Sequence, residues 1–475
     1  MFKNDVAEFI YKRTYSRWIE EENRRENWPE TIERFLNFII TERGKNIPEK
    51  TIKRIRRYLL NFSVMPSMRF LWAAGPAAKR DNTCIYNCAF AKMNCIEAFA
   101  ECLYVLMCGT GFGFSVEHEE IDKLPGVPVI KSGRDRPKQT IDDSKAGWAD
   151  SVHTLMTALY DGQNLYFDYK EIRPEGARLY TMGGRASGPA PLIKLHNFIR
   201  ETMHNAQGRK LTTLEVHDIC NQIAEIVVVG GVRRSSQISL SDLDDQEMRH
   251  AKDWPYPIKR AMANNSAIYK EKPSAAEFLK EWGTLALSGT GERGLFNLQS
   301  AQNKSPSRRY AALIQGTNPC GEIMLRDMQF CNLSEVVVRP EDNLDTLLDK
   351  VETATWLGVI QSSFTRFPYL RKAWKKNCDV ERLLGVSLTG QMDNPSLMNP
   401  EALKALKSRV LRISRKAATL LDVNMPAATT CVKPSGTVSQ LVDSASGVHP
   451  RYSQYYIRRY RIAARDPLFK MLKAQ

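Results

Sequence analysis

Seven short apolar runs recur from about residue 66 onward: CAFA, GFGFSV, SSQISL, SAIY, GLFN, VVVR and GVSLTG. Gly-rich turns and amphipathic stretches separate them. Runs of this length suit buried strands, whereas the stretches between carry helical spacing, as in Leu344, Leu347, Leu348, Val351 and Ala354. Strands alternating with helices point to an α/β fold built on a largely parallel sheet or barrel. No internal repeat or low-complexity linker breaks residues 66–475, which read as one large domain. The stretch before it, 1–65, reads as a helical N-terminal region. Ile32, Phe35, Leu36, Ile39 and Ile40 recur at helical spacing behind Asn27-Trp28-Pro29-Glu30, a helix start, and a second, strongly basic helix over 51–60 is ended by Pro66-Ser67.

Composition removes several function classes. The 475 residues are 43% hydrophobic and 25% charged, which excludes collagen-like, disordered and coiled-coil chains. Eighteen apolar residues never run together, and the N-terminus is charged from its third residue, so neither a membrane span nor a secretory signal is expected and the cytosol is the expected compartment. Lys and Arg outnumber Asp and Glu by 68 to 53, a balance that favours polyanionic partners. Ten cysteines include no C-x-x-C, and the seven histidines form no H-E-x-x-H. No metal held by this chain is expected. The cysteines are either buried small hydrophobes or redox thiols. There is no P-loop, and Cys108-Gly109-Thr110-Gly111-Phe112-Gly113-Phe114 misses G-x-G-x-x-G because position 114 is Phe.

The segment richest in chemistry is Thr317-Asn318-Pro319-Cys320-Gly321-Glu322-Ile323. On an extended strand Asn318, Cys320 and Glu322 would share one face. There the carboxylate can serve as a base and the amide can hold a hydroxyl. The same string also fits a turn. Cys331 in Phe330-Cys331-Asn332-Leu333-Ser334-Glu335 and Cys88 in Tyr86-Asn87-Cys88-Ala89-Phe90 read as thiols at the accessible ends of strands. Brought together they would cycle between dithiol and disulfide; singly, each reads as a buried structural Cys. Lys433-Pro434-Ser435-Gly436-Thr437 suits either a phosphate cradle or a plain turn opening a helix.

Taken in order, N-C-A-F, C-G-T-G-F-G-F-S-V-E, R-P-E-G-A-R with G-G-R-A-S-G-P at 173–189, G-G-V-R-R-S at 230–235, N-P-C-G-E-I, F-C-N-L-S-E and P-S-G-T resemble the catalytic subunit of ribonucleotide reductases. The texture is similar to the adenosylcobalamin-dependent (class II) branch, in a minimal, short, phage-like form. The resemblance implies a ten-stranded α/β barrel of two half-barrels with a thiol on a central finger loop. It implies reduction of ribonucleoside di- or triphosphates to 2′-deoxyribonucleotides by a thiyl radical.

By the same resemblance Cys320 would carry the radical, Glu322 would take the 3′-hydroxyl proton, Asn318 would hold the ribose, and Cys88 with Cys331 would be the reducing pair. Ser67, Pro434, Ser435, Gly436 and Thr437 would bind the substrate phosphates. The 180–192 loop, with Gly183, Gly184, Arg185 and Ser187, and Asp168 would serve a deoxynucleotide or ATP effector. The implied cofactor is adenosylcobalamin, the alternative being no cofactor in this chain and a radical from a separate metal-containing subunit. Implied partners are a thioredoxin-type or small dithiol reductant and a second copy of the chain, in the host cytoplasm if the protein is viral. No regulatory ATP-cone domain is expected ahead of residue 10. Larger relatives continue past Tyr455-Tyr456-Ile457-Arg458-Arg459 with the last barrel elements and a cysteine-bearing tail. The chain therefore reads as a minimal form or as a catalytic fragment completed by a second polypeptide. The competing reading from charge is a basic nucleic-acid-binding protein, for which no binding module is found. A glycyl-radical enzyme would need a C-terminal radical loop that has no match here.

Overall fold

The computed structural model describes residues 2–131, 138–179, 185–229, 236–457, 459 and 473. Three helices open the chain: α1 (Asp5–Thr14), α2 (Trp28–Arg43) and α3 (Glu49–Leu60). The expected start of α2 is built as a capping box. Asn27 Oδ1 accepts from the Glu30 amide at 3.1 Å, and the Glu30 carboxylate accepts from the Asn27 amide at 2.7 Å. The apolar stripe Ile32, Phe35, Leu36 and Ile39 is buried, and Phe35 meets Phe70 edge to face at 4.8 Å. Phe70 lies on α4 (Met68–Ala73), directly after strand β1 (Val64–Pro66).

The runs read as strands become strands: β2 (Cys88–Lys92), β3 (Gly111–Ser115), β4 (Gln237–Asp242), β5 (Ala263–Tyr269) and β6 (Gly294–Asn297). Successive pairs are parallel, as β2 with β3, β3 with β4, β4 with β5, and β5 with β6. Parallel neighbours need a crossover. α5 (Ile96–Met107) supplies the first. α6 (Lys145–Tyr160), α7 (Ala190–Asn205) and α8 (Thr213–Val229) lie within the second, and α9 (Ala275–Ser288) makes the last. Further along come β7 (Gly316–Thr317), β8 (Met324–Leu325), β9 (Gln329–Phe330), β10 (Leu333–Val337) and β11 (Gly385–Thr389). The sheets are ordered β6-β5-β4-β3-β2-β9 and β11-β10-β1.

Two residues, Cys331 and Asn332, carry the chain from the first sheet to the second. This seam is braced by α10 (Leu344–Ser362), whose middle is buried almost all round. Asn332 Nδ2 donates to the Gly358 carbonyl at 2.7 Å, and Ser334 Oγ donates to the Ala354 carbonyl at 3.0 Å. α11 (Lys372–Glu381) leads into β11, and α12 (Pro400–Leu421) packs along α10. The expected α/β class holds. Among the described residues no helix is long and apolar enough to cross a membrane.

Candidate active site

A narrow hairpin, β7 with β8, projects across the first sheet. It pairs Gly316 with Leu325 and Thr317 with Met324. Its passage needs missing side chains. A Cβ on Gly316 would sit 2.2 Å from the Phe90 ring, and one on Gly113 would sit 2.2 Å from the Thr317 carbonyl oxygen. This explains a Gly-rich strand, which propensity alone disfavours. The hairpin is clamped at its root by Glu381, the buried last residue of α11. Its carboxylate accepts from Arg309 Nη2 at 2.8 Å, Arg326 Nη2 at 2.8 Å and Gln329 Nε2 at 2.9 Å, while Arg309 also donates to the Met324 carbonyl at 2.9 Å.

The tip is a turn rather than a continued strand. The Gly321 amide donates to the Asn318 carbonyl at 2.9 Å, and Gly321 has φ of +82°. Asn at the first position, Pro at the second and Gly at the fourth favour such a turn. Asn318 and Glu322 therefore meet by direct bonding, not by sharing a strand face. Asn318 Nδ2 donates to Glu322 Oε2 at 2.7 Å, while its Oδ1 accepts from the Ile323 amide at 2.9 Å.

The tip sets Cys320 beside Cys88, and Cys88 lies close enough to both Cys320 and Cys331 for each to act on its thiol. The Cys331 amide donates to the Cys88 carbonyl at 2.9 Å, which locks the register at the seam. Gly111, opposite Cys88, leaves the room: a Cβ there would lie 3.2 Å from the Pro319 ring and 3.4 Å from Cys88 Sγ. Cys88 and Cys331 are buried and Cys320 is exposed. Of the two expectations for positions 88 and 331, burial holds and an accessible strand end does not. Both lie where two sheets meet, a packed place rather than an open strand end.

Burial and contacts set the protonation. Cys88 beside it, and then the loss of water on the side turned to the protein, push the Cys320 thiol far above the ordinary range, so it keeps its hydrogen. Cys320 pulls Cys88 down, but Cys331 and burial outweigh it and carry Cys88 well up. Burial raises Glu322. The Asn318 amide and the Lys433 ammonium oppose that, and Glu335 adds to it.

The residues expected at the phosphates stand around β10. Pro66 pairs with Ser334, and Ser67 caps α4, accepting from the Phe70 amide at 3.1 Å while donating to the Ile85 carbonyl. Pro434, Ser435, Gly436 and Thr437 lead into α13 (Thr437–Leu441), and Ser435 Oγ donates to Glu335 Oε2 at 2.6 Å. The expected effector residues lie apart from this centre. Asp168 ends a two-residue strand, Phe167–Asp168, paired with Gln139–Thr140. Arg185 and Ser187 lie on the return arm of a hairpin in which the Gly176 amide donates to Ala186. Gly183 and Gly184 fall outside the described residues.

Glu335 and Cys431 are given no role by the sequence, and Lys433 enters it only as the first residue of the 433–437 string. Glu335 accepts from both Lys433 and Ser435, and Cys431 stands near enough to Glu322 and Glu335 to feel their charge. The available signal was spacing: Glu335 is four residues beyond Cys331, and Lys433 directly precedes P-S-G-T.

This arrangement offers one proton acceptor, one hydrogen-bearing thiol and a two-electron dithiol around a single point. Residues 1–76 match the ribonucleotide reductase alpha domain, and residues 129–203 match the insertion domain of B12-dependent ribonucleotide reductase. The chain is 30% identical to an adenosylcobalamin-dependent ribonucleoside-triphosphate reductase of Lactobacillus gasseri, over 98% of this chain and 76% of that protein. It is 28% identical to the protein of the same description from Lactobacillus leichmannii, with the same coverage. The solved structure of a B12-dependent (class II) ribonucleotide reductase superposes with a TM-score of 0.82 at 25% identity, covering 98% of this chain and 78% of that one. The alpha subunit of Actinobacillus ureae class Id ribonucleotide reductase shares the fold, with a TM-score of 0.61 at 13% identity. The chain therefore belongs to the ribonucleotide reductases, in their adenosylcobalamin-dependent branch.

Proposed function

We propose that this chain reduces ribonucleoside triphosphates to 2′-deoxyribonucleotides, with Cys320, Glu322, Asn318, Cys88 and Cys331 as its working residues. The observation that carries the reading is the gathering of three thiols at the finger tip, with Cys88 beside both Cys320 and Cys331 and Glu322 two residues from Cys320. The chemistry fits the branch's cofactor on one point of this structure. An exposed thiol that retains its hydrogen can give up a hydrogen atom, whereas a thiolate cannot. Bound adenosylcobalamin supplies the carbon-centred radical that makes this abstraction favourable, and Cys320 is the residue that would meet it.

The thiyl at Cys320 then takes the 3′-hydrogen of the ribose. Glu322, ionised, accepts the 3′-hydroxyl proton, while Asn318 fixes that carboxylate and the ribose. The 2′-hydroxyl leaves as water with a proton from the Cys88 and Cys331 pair. That pair gives two electrons and its second hydrogen to C2′ and closes as a disulfide, Glu322 returns its proton to the 3′-oxygen, and Cys320 returns its hydrogen to C3′.

Ser67 and residues 434–437 hold the substrate phosphates, and Asp168, Arg185, Ser187 and the 180–184 stretch serve a nucleotide effector. The strands on either side of the finger are the halves of a ten-stranded barrel occupying residues 66–475, behind the helical region 1–65. A dithiol, small or thioredoxin-like, restores the reduced pair.

The test is reduction of ribonucleoside triphosphates with dithiothreitol, with and without adenosylcobalamin, in wild type and Cys320→Ser. Deoxynucleotide is expected only from wild type with the cofactor. Product in its absence, or from a folded Cys320→Ser, overturns the reading.

A further inference from the structure

A charged pair that the reaction steps above leave unused stands beside the carboxylate. Glu335 lies in β10, paired across to Met65 and Ser387, and is 2% exposed. Both of its oxygens are engaged: Oε1 accepts from Lys433 Nζ, and Oε2 accepts from Ser435 Oγ at 2.6 Å. Lys433 arrives on a segment laid against β11, where Thr430 bridges to Val386 and the Cys431 amide donates to the Val386 carbonyl at 3.2 Å. The ammonium is thus fixed from two sides, by its carboxylate and by the strand that carries it. Its charge acts on Glu322 and on Cys320. A buried ion pair gains little stability over an apolar pair of the same volume, so a placement such as this calls for another account.

We propose that Lys433, anchored by Glu335 and Ser435, is a positioning residue of the reaction, the cation that keeps Glu322 able to accept the substrate proton. The inference rests on the reading of Glu322 as the base. The groups that face Glu322 are Asn318 and Cys320 on its own loop, Cys88 of β2, Glu335 of β10, and Cys431 and Lys433 of the segment beside β11. The three thiols are pushed upward and stay neutral. Burial and Glu335 both disfavour the Glu322 carboxylate, and Lys433 opposes them. Without Lys433 the carboxyl should hold its proton to higher pH.

The experiment is the pH profile of kcat at saturating substrate for wild type, K433M, K433R and the neutral pair E335Q/K433M. The same variants, free of substrate, are titrated by difference infrared of the Glu322 carboxyl against an E322Q background. In K433M the acid limb and the infrared titration should both move to higher pH, and one unit of displacement is a tenfold loss of rate at a fixed pH on that limb. K433R should restore most of both. E335Q/K433M leaves no stranded charge, so it carries the test if K433M does not fold. It should move both readouts the same way but less, because an opposing anion goes too. An unmoved limb and titration in either methionine variant overturn the inference. So does a raised KM with an unchanged kcat profile, which would put Lys433 on the substrate phosphates. E322Q separates the underlying reading: if it keeps the wild-type rate and limb, Glu322 is not the base, whatever Lys433 does.

Discussion

Glu322 illustrates how a residue's stability and its work oppose each other. Burial raises its carboxyl above the ordinary glutamate range, so the ionised form needed for proton abstraction is the form that folding disfavours. For an acid raised in the folded state, the contribution to stability is whole below the unfolded value and is lost as pH rises through the folded one. Glu322→Gln should therefore melt with wild type near pH 4 and above it at pH 8, while its rate falls roughly 10²–10⁴-fold. Melting curves across that range, with steady-state rates, check both halves; equal melting at pH 8 would show that the carboxyl is not held against ionisation. Asn318, Cys320 and Glu322 were legible in the sequence because they stand within five residues of one another. Lys433 was not, because it reaches Glu322 across a gap of more than a hundred positions that only the fold closes.

At the scale of elements, the strands were legible because each is a short apolar run between breakers, and α10 because its periodicity is long. The finger was not, since β7 and β8 are two residues each and too short for any periodic signal. What marks it instead is glycine, at 316 in the finger and at 113 in the strand it crosses. Gly316→Ala would drive a methyl into the Phe90 ring, at a cost of about 1–3 kcal/mol of overpacking. A displacement of about 1 Å at the tip should cost roughly 10²-fold in turnover. The variant should thus lose far more activity than stability, which parallel denaturant and rate measurements would show. Removing the clamp reverses that balance. Glu381→Ala leaves Arg309 buried and Arg326 half-buried without their carboxylate and should cost about 3–5 kcal/mol in denaturant unfolding.

Over the whole molecule, the excess of 15 positive charges suits a ribonucleotide reductase, whose nucleotide substrate is a polyanion, with no need of nucleic acid. Residues 176–179 and 185–187, beside the stretch proposed for an effector, are separate in sequence from Ser67 and 434–437, the residues proposed for the substrate phosphates. Adding one deoxynucleoside triphosphate should change which of four competing ribonucleotides is reduced fastest, an effect it can exert only by binding the loop's arrangements unequally. A competition assay returning the same product ratios with every effector would remove 180–192 from that role. The seam has a mechanical consequence as well. Cys88 opens a strand of one sheet and Cys331 begins the passage to the other, so a bond between them ties off a ring of about 240 residues. Closing so long a ring restricts the unfolded chain by on the order of 5 kcal/mol, and the oxidised protein should need more denaturant to unfold than the reduced one. The enzyme is then at its toughest when spent, and each reduction that rearms it also slackens it.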